Sequence, residues 1–204
     1  MIRTNTKMIQ GKIQGHMASI LILGGARSGK SALGEKLALA SQSDHIYLAT
    51  AEIRDDEMQD RINHHKERRD NTWLLIEETI NIADVINKHS KPGTVILIDC
   101  LTLWVSNLME QACNIDHKVQ ALIKAIKHAG GDLIFVSNEV GLGIVPMNQM
   151  ARDFRDHAGR TNQQLAEAVN TVHFCLSGLP LTLKKDGEIT GGLPFSITEK
   201  TKGL

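Results

Sequence analysis

The sequence predicts an α/β fold, a mostly parallel central sheet flanked by helices. Three observations carry that expectation. Short apolar runs alternate with longer amphipathic stretches along nearly the whole chain. Two of the runs, TVILIDC (Thr94 to Cys100) and LIFVS (Leu133 to Ser137), are almost wholly apolar, as strands buried on both faces are. The glycine-rich stretch GGARSGKS, residues 24–31, stands between an apolar run and a helical one, where a strand-to-helix turn belongs.

In chain order, Ser19 to Leu23 reads as a strand and Lys30 to about Ser41 as a helix. HIYLAT, residues 45–50, is a second strand. Asp55 to about Arg69 reads as a helix with acids early and bases late, the polarity that suits a helix dipole. Trp73 to Ile76 is a short strand, and Thr79 to Lys88 a helix stopped near Pro92-Gly93. The two buried strands follow, with helices over about 102–111 and 116–128 between them. Gln149 to Asn170 is helical, and Val172 to Ser177 with Leu179 to Lys184 closes the fold as a strand pair. The expected organisation is a flexible extension over residues 1–18, one catalytic domain over 19–185, and a Gly-rich, mobile tail over 186–204.

The chain has 204 residues, with 23 basic and 23 acidic side chains and a formal charge of zero. That balance and an aromatic content of 3% argue against nucleic acid as a partner. The three cysteines, Cys100, Cys113 and Cys175, show no C-x-x-C spacing, so neither a disulfide framework nor a zinc site is expected. No apolar run approaches the roughly 20 residues of a membrane span. The start of the sequence shows no apolar core of a secretory signal, and a cytoplasmic protein is expected.

Gly24 to Ser31 has the spacing G-x-x-x-x-G-K-S of a Walker A loop. In such a loop, backbone N–H groups and a helix N-terminus cradle phosphate. Lys30 would reach the outer phosphates, and the Ser31 hydroxyl would ligate Mg²⁺. The fold expected is therefore that of a P-loop NTPase. Such enzymes need an acid at the end of a neighbouring strand to hold the metal, and Asp99 ends VILID. The plainer alternative is that Asp99 caps the next helix.

DDEMQDRINHHKERR, residues 55–69, gathers Arg61, His64, His65, Lys66, Arg68 and Arg69. On a helix Arg61, His65 and Arg69 share one face. A charged helix of this kind is most often a solvated surface. Here the cations would keep a histidine neutral, the form that attacks phosphorus, and could hold the phosphates it attacks. After LIFVS, the loop with Asn138, Glu139, Gly141, Gly143 and Pro146 leaves a buried strand, where α/β sheets place ligands. It is either part of a ligand pocket or an ordinary turn. Arg152, Arg155 and Arg160 either bind phosphate or face solvent.

Taken in order, GGARSGKS, YLATAE, DDEM-x-x-RI-x-x-H-x-x-R, DCLTLWVSNL, VSNEVGLGIVP and ARDFRDHAGRTNQQLA resemble the bifunctional adenosylcobinamide kinase / adenosylcobinamide-phosphate guanylyltransferase family, over about residues 19–185. The resemblance implies a RecA-like P-loop fold and two activities in cobalamin biosynthesis and corrinoid salvage. One phosphorylates adenosylcobinamide with a nucleoside triphosphate, ATP or GTP. The other transfers GMP from GTP to that phosphate through a guanylyl-histidine. The family's histidine falls on His65, with His64 as runner-up. Its nucleotide-binding positions fall on Gly24, Gly25, Ala26, Arg27, Ser28, Gly29, Lys30 and Ser31, on Ala49, Thr50 and Ala51, on Lys66, Glu67, Arg68 and Arg69, and on Glu77 and Asp99. Mg²⁺ would lie on Ser31 and Asp99. The family also implies a homo-oligomer, with a trimer as one form. Three other readings compete: a plain small-molecule P-loop kinase, a GTP-dependent switch, and a nucleic-acid motor. The chain has no N-K-x-D motif for the switch, and its charge disfavours the motor.

Overall fold

The computed structural model describes residues 18–51 and 72–190. The helix expected over Asp55 to Arg69 lies outside the described residues, and with it His64, His65, Lys66, Glu67, Arg68 and Arg69. The described elements run β1 (Ser19–Gly24), α1 (Lys30–Leu39), β2 (Asp44–Ala49), β3 (Trp73–Glu77), α2 (Ile82–His89), β4 (Thr94–Asp99), α3 (Leu101–Glu110), α4 (Ile115–His128), β5 (Asp132–Asn138), α5 (Gln149–Ala168), β6 (Thr171–Leu176), β7 (Leu179–Lys185) and β8 (Glu188–Ile189).

All the described strands form one sheet in the order β3-β2-β4-β5-β1-β6-β7-β8. From β3 to β6 every pairing is parallel, and β7 and β8 add on antiparallel. The α/β expectation therefore holds. The all-apolar strands are apolar because they feed two cores. Successive side chains of a strand point to opposite faces. Leu21, Ile96, Ile98, Leu133 and Phe135 join one core with α2, α3, α4 and α5. Ile22, Val95, Leu97, Ile134 and Val136 join the other, against α1. Gly34 lets α1 lie close to the sheet, since a Cβ there would stand 2.9 Å from Leu97 Cδ1.

Most boundaries fall within a residue or two of expectation, and where α1, α2 and the last strands depart from it the structure gives a local account. Helix α2 begins at Ile82 rather than Thr79. The Glu78 carboxylate accepts from the N–H groups of Ile80 and Asn81 at 2.9 and 2.8 Å, which holds that stretch as a turn. Helix α1 stops at Leu39, where the Ser41 hydroxyl donates to Ala38 O at 2.8 Å. Past Lys185 the chain turns back and adds β8 to β7, inside the stretch read as tail.

The hairpin also secures α5. Lys184 Nζ donates to the carbonyls of Ala166, Glu167 and Val169 at 3.0, 2.8 and 2.7 Å. These are end-of-helix carbonyls without helical partners, at the negative pole of the dipole. Lys184→Met keeps the stem and removes the ammonium. It is expected to lower stability by about 1–2 kcal/mol, at the upper end for a cation at a helix C-terminus. Equilibrium denaturation checks this, with an unchanged midpoint counting against the capping role.

Candidate active site

The loop at residues 24–31 has the geometry of an anion cradle. Gly24 ends β1 with φ 150°, and a Cβ there would collide with the Cys175 carbonyl of β6. Gly29 precedes α1 with φ 96°, in the left-handed region that glycine enters without penalty. Ser28 N–H closes the turn onto Gly25 O at 3.3 Å, and Leu33 N–H donates to Gly29 O at 3.0 Å. No side chain caps the N-terminus of α1, and its first turn carries no acid. Its N–H groups and dipole therefore favour an anion. The Ser28 hydroxyl is buried in the loop without a partner.

Lys30 is buried, and its Nζ donates to Gly25 O at 2.7 Å. Burial pulls the ammonium below its usual pKa, and the Asp99 carboxylate, with Cys100 and Cys175, pulls it partly back. A buried ammonium held mainly by one carbonyl is poised to transfer to phosphate oxygens.

Sheet register fixes the carboxyl edge. Glu77, Ala49 and Asp99 lie in one row across β3, β2 and β4. Gly24 pairs in register with Asn138 and Cys175. One expectation is corrected here. Asp99 does not stand on the strand beside the phosphate loop, because β5 is inserted between β4 and β1. At a strand spacing of about 4.8 Å, β4 is roughly 10 Å from β1 and β3 roughly 19 Å from it. Lys30 is nonetheless near enough to Asp99 for that carboxylate to raise its pKa. Asp99 Oδ2 accepts from the Tyr47 hydroxyl at 3.1 Å.

The stretch DCLTLWVSNL explains how that edge is held. Helix α3 sends one polar group to each neighbour. Thr102 Oγ1 accepts from Asn138 N–H at 2.6 Å, fixing the end of β5. Trp104 Nε1 donates to Ile80 O at 2.9 Å. Asn107 Nδ2 donates to Thr50 O and Thr79 O at 2.8 and 3.2 Å. Thr50 is fully buried, and its hydroxyl donates to Cys100 O and accepts from Cys100 N–H at 2.7 and 2.9 Å. Thr50 thus splices the end of β2 to the β4–α3 junction and carries Ala49 and Ala51 into place.

Asn138 and Glu139 are brought to the cradle. Glu139 N–H donates to Gly24 O at 3.0 Å, and Asn162 Nδ2 donates to Asn138 O at 3.2 Å. Arg152 is committed to its own loop, Nη1 donating to the carbonyls of Pro146 and Met147 at 2.9 and 2.6 Å. Arg155 engages Asp156 at 2.8 Å, and Arg160 is exposed. Burial, with Asp99 adding, pushes the Cys100 thiol up to about 12. Burial also raises Cys175, against the pull of Lys30. Neither thiol is a nucleophile at neutral pH.

Sequence reading missed Tyr47, Asn107, Asn162 and the β6–β7 turn, whose Gly178 N–H supports Ser28 O at 3.0 Å. Polar Thr102 and Asn107 inside the apolar run LTLWVSNL were the available signal. Ser31 and Asp99 offer a hydroxyl and a carboxylate, hard oxygen donors of the kind Mg²⁺ takes. Among the described residues no group of three or more His, Cys, Asp or Glu converges on one point.

Fold and cradle together define a P-loop nucleotide-using protein. Solved structures with this architecture include the flagellar accessory protein FlaH from Methanocaldococcus jannaschii (17% identical, TM-score 0.53, covering 88% of this chain and 83% of that one). A second is a prototypical ATPase from the type III secretion system of pathogenic bacteria (14% identical, TM-score 0.54, covering 85% of this chain and 59% of that one). The family described as cobinamide kinase / cobinamide phosphate guanyltransferase matches residues 20–183, and the chain belongs to that family. It is 42% identical over 166 residues to the bifunctional adenosylcobalamin biosynthesis protein CobP of Pseudomonas aeruginosa, covering 80% of this chain and 96% of that protein. It is 41% identical over 182 residues to CobU of Escherichia coli, covering 81% and 99%. These relatives lend no support to the plain-kinase, switch or motor readings.

Proposed function

We propose that this protein is a bifunctional, cytoplasmic adenosylcobinamide kinase and adenosylcobinamide-phosphate guanylyltransferase. The observation that carries the reading is the family match over residues 20–183, in a chain whose glycine-rich loop leads into a buried Lys30. In the kinase step, the aminopropanol hydroxyl oxygen attacks the γ-phosphorus of a nucleoside triphosphate. The bond to the β,γ-bridging oxygen breaks, the nucleoside diphosphate leaves, and the hydroxyl proton passes to solvent. The loop N–H groups and Lys30 hold the phosphates and take up charge as it moves toward the leaving oxygen. Mg²⁺ held by Ser31 and Asp99 would neutralise phosphate charge.

In the transfer, a ring nitrogen of His65 attacks the α-phosphorus of GTP, and pyrophosphate leaves. A phosphate oxygen of adenosylcobinamide phosphate then attacks the same phosphorus, the N–P bond breaks, and adenosylcobinamide-GDP forms with the histidine restored. Lys66, Glu67, Arg68 and Arg69 flank that histidine in sequence and contribute to holding the nucleotide. Glu77 stands in the Asp99 row, on the strand of the row farthest from the cradle, so its part is at the far end of the bound nucleotide. Thr50 acts by holding Ala49 and Ala51 at the lip.

The protein works as a homo-oligomer, with a trimer as the expected form. Leu176, Leu179, Leu181 and Ile189 of the β6–β8 hairpin are apolar and exposed, as a surface between copies would be before assembly. Incubation with adenosylcobinamide, Mg²⁺, ATP and GTP, read by mass spectrometry, tests the function. Adenosylcobinamide-GDP and pyrophosphate are the expected products. A phosphorylated corrinoid that never acquires GMP would reduce the protein to a kinase, and no turnover would overturn the reading.

A further inference from the structure

The loop between β5 and α5 carries a row of apolar side chains in solvent. Leu142, Ile144 and Met147 are 82%, 97% and 98% exposed, with Val145 and Met150 beside them. Exposed apolar residues scattered singly need no explanation, but five of them within residues 142–150, on a loop that starts at a functional site, do. The loop adjoins the phosphate cradle at its root, where Glu139 N–H bonds Gly24 O. Its backbone is also held in shape. The Glu139 carboxylate accepts from Gly141 N–H at 2.5 Å. Arg152 grips the carbonyls of Pro146 and Met147, and Asn148 caps α5 by accepting from Ala151 N–H at 2.7 Å. The apolar side chains are therefore presented on a fixed frame.

We propose that this loop is the platform for the corrin ring of the acceptor, with Ile144 and Met147 as its principal contacts. The inference rests on the functional reading above. It adds where the acceptor lies and which residues select it. The hydroxyl that receives phosphate sits at the end of a side arm, so the macrocycle must lie to one side of the cradle. A corrin ring is rimmed with methyl groups and carries neutral amides. An apolar shelf rooted at Gly24 matches that rim, whereas a charged nucleotide gains nothing from it. Methionine and isoleucine give such a shelf adaptable, polarisable contacts.

The test is the double variant Ile144→Ser/Met147→Ser, whose nearly fully exposed side chains take no part in the core. The KM for adenosylcobinamide in the kinase step is expected to rise about tenfold or more, the scale of losing two buried apolar contacts. The kcat at saturating corrinoid and the KM for the nucleotide are expected to stay within about twofold, which separates loss of a ring contact from general damage. An unchanged corrinoid KM in an active enzyme overturns the platform alone. So does a fall in oligomeric mass by light scattering with corrinoid KM unchanged, which would give the loop to a second copy. A wild-type protein that does not turn over adenosylcobinamide overturns the functional reading, and the platform with it.

Discussion

Lys30→Met is expected to lower turnover in the kinase reaction by about 10²–10³-fold, the range found when one donor to developing charge is removed, while the protein remains at least as stable. The two halves of this expectation have one cause. Lys30 is buried, its ammonium is depressed by that burial, and its Nζ meets the carbonyl of Gly25. The charge therefore costs the protein stability in the absence of phosphate and repays it by stabilising transfer when phosphate is bound. Because the folded-state pKa lies below the unfolded value, the unfolded chain binds more protons in the window between the two. Wild-type stability should rise with pH through that window, up to the unfolded lysine range, and Lys30→Met should lose that rise. Steady-state kinetics and equilibrium unfolding across alkaline pH check both halves. Activity within tenfold of wild type would deny Lys30 its phosphate role. A large loss of stability at neutral pH would mean that the Gly25 contact outweighs the cost of burial.

What the sequence made legible was local, and what it hid was long-range. The cradle was readable because all its parts fall within eight consecutive residues, from Gly24 to Ser31. The strand TVILID was readable because burial on two faces leaves no room for polar alternation, and its side chains do divide between two cores. Strand order is a different kind of information. Nothing within β4 or β1 says that β5 will come between them, and that insertion moved Asp99 away from the strand next to the loop. The supports of the site are equally non-local. Tyr47 reaches Asp99 across 52 positions, and Thr50 exchanges hydrogen bonds with Cys100 across 50. Thr50 could be matched to a nucleotide-binding position by resemblance, but its hydroxyl is consumed within the protein. Such a partnership, 50 positions away, is visible only in the folded chain.

Wild type is expected to form a GMP-sized covalent adduct with GTP and Mg²⁺ alone, and His65→Ala to abolish it and to reduce guanylyl transfer by roughly 10³-fold or more, as loss of a covalent nucleophile does. Kinase turnover should survive, because that step transfers phosphate directly and asks nothing of an imidazole. The argument is chemical. The sequence sets Arg61, Lys66, Arg68 and Arg69 around His65, and neighbouring cations disfavour imidazolium. A ring kept neutral has a free lone pair for the attack, and the same cations would draw in the triphosphate and offset charge gained at the α-phosphorus. An N–P bond made this way is acid-labile and base-stable, so intact mass before and after acid and base treatment identifies it. His64→Ala serves as the control one position away. If the adduct vanishes only in that variant, the mechanism stands and the nucleophile moves by one residue. If wild type guanylylates its corrinoid without ever showing an adduct, GMP passes directly from GTP to the acceptor phosphate, and the cations around His65 serve only to bind.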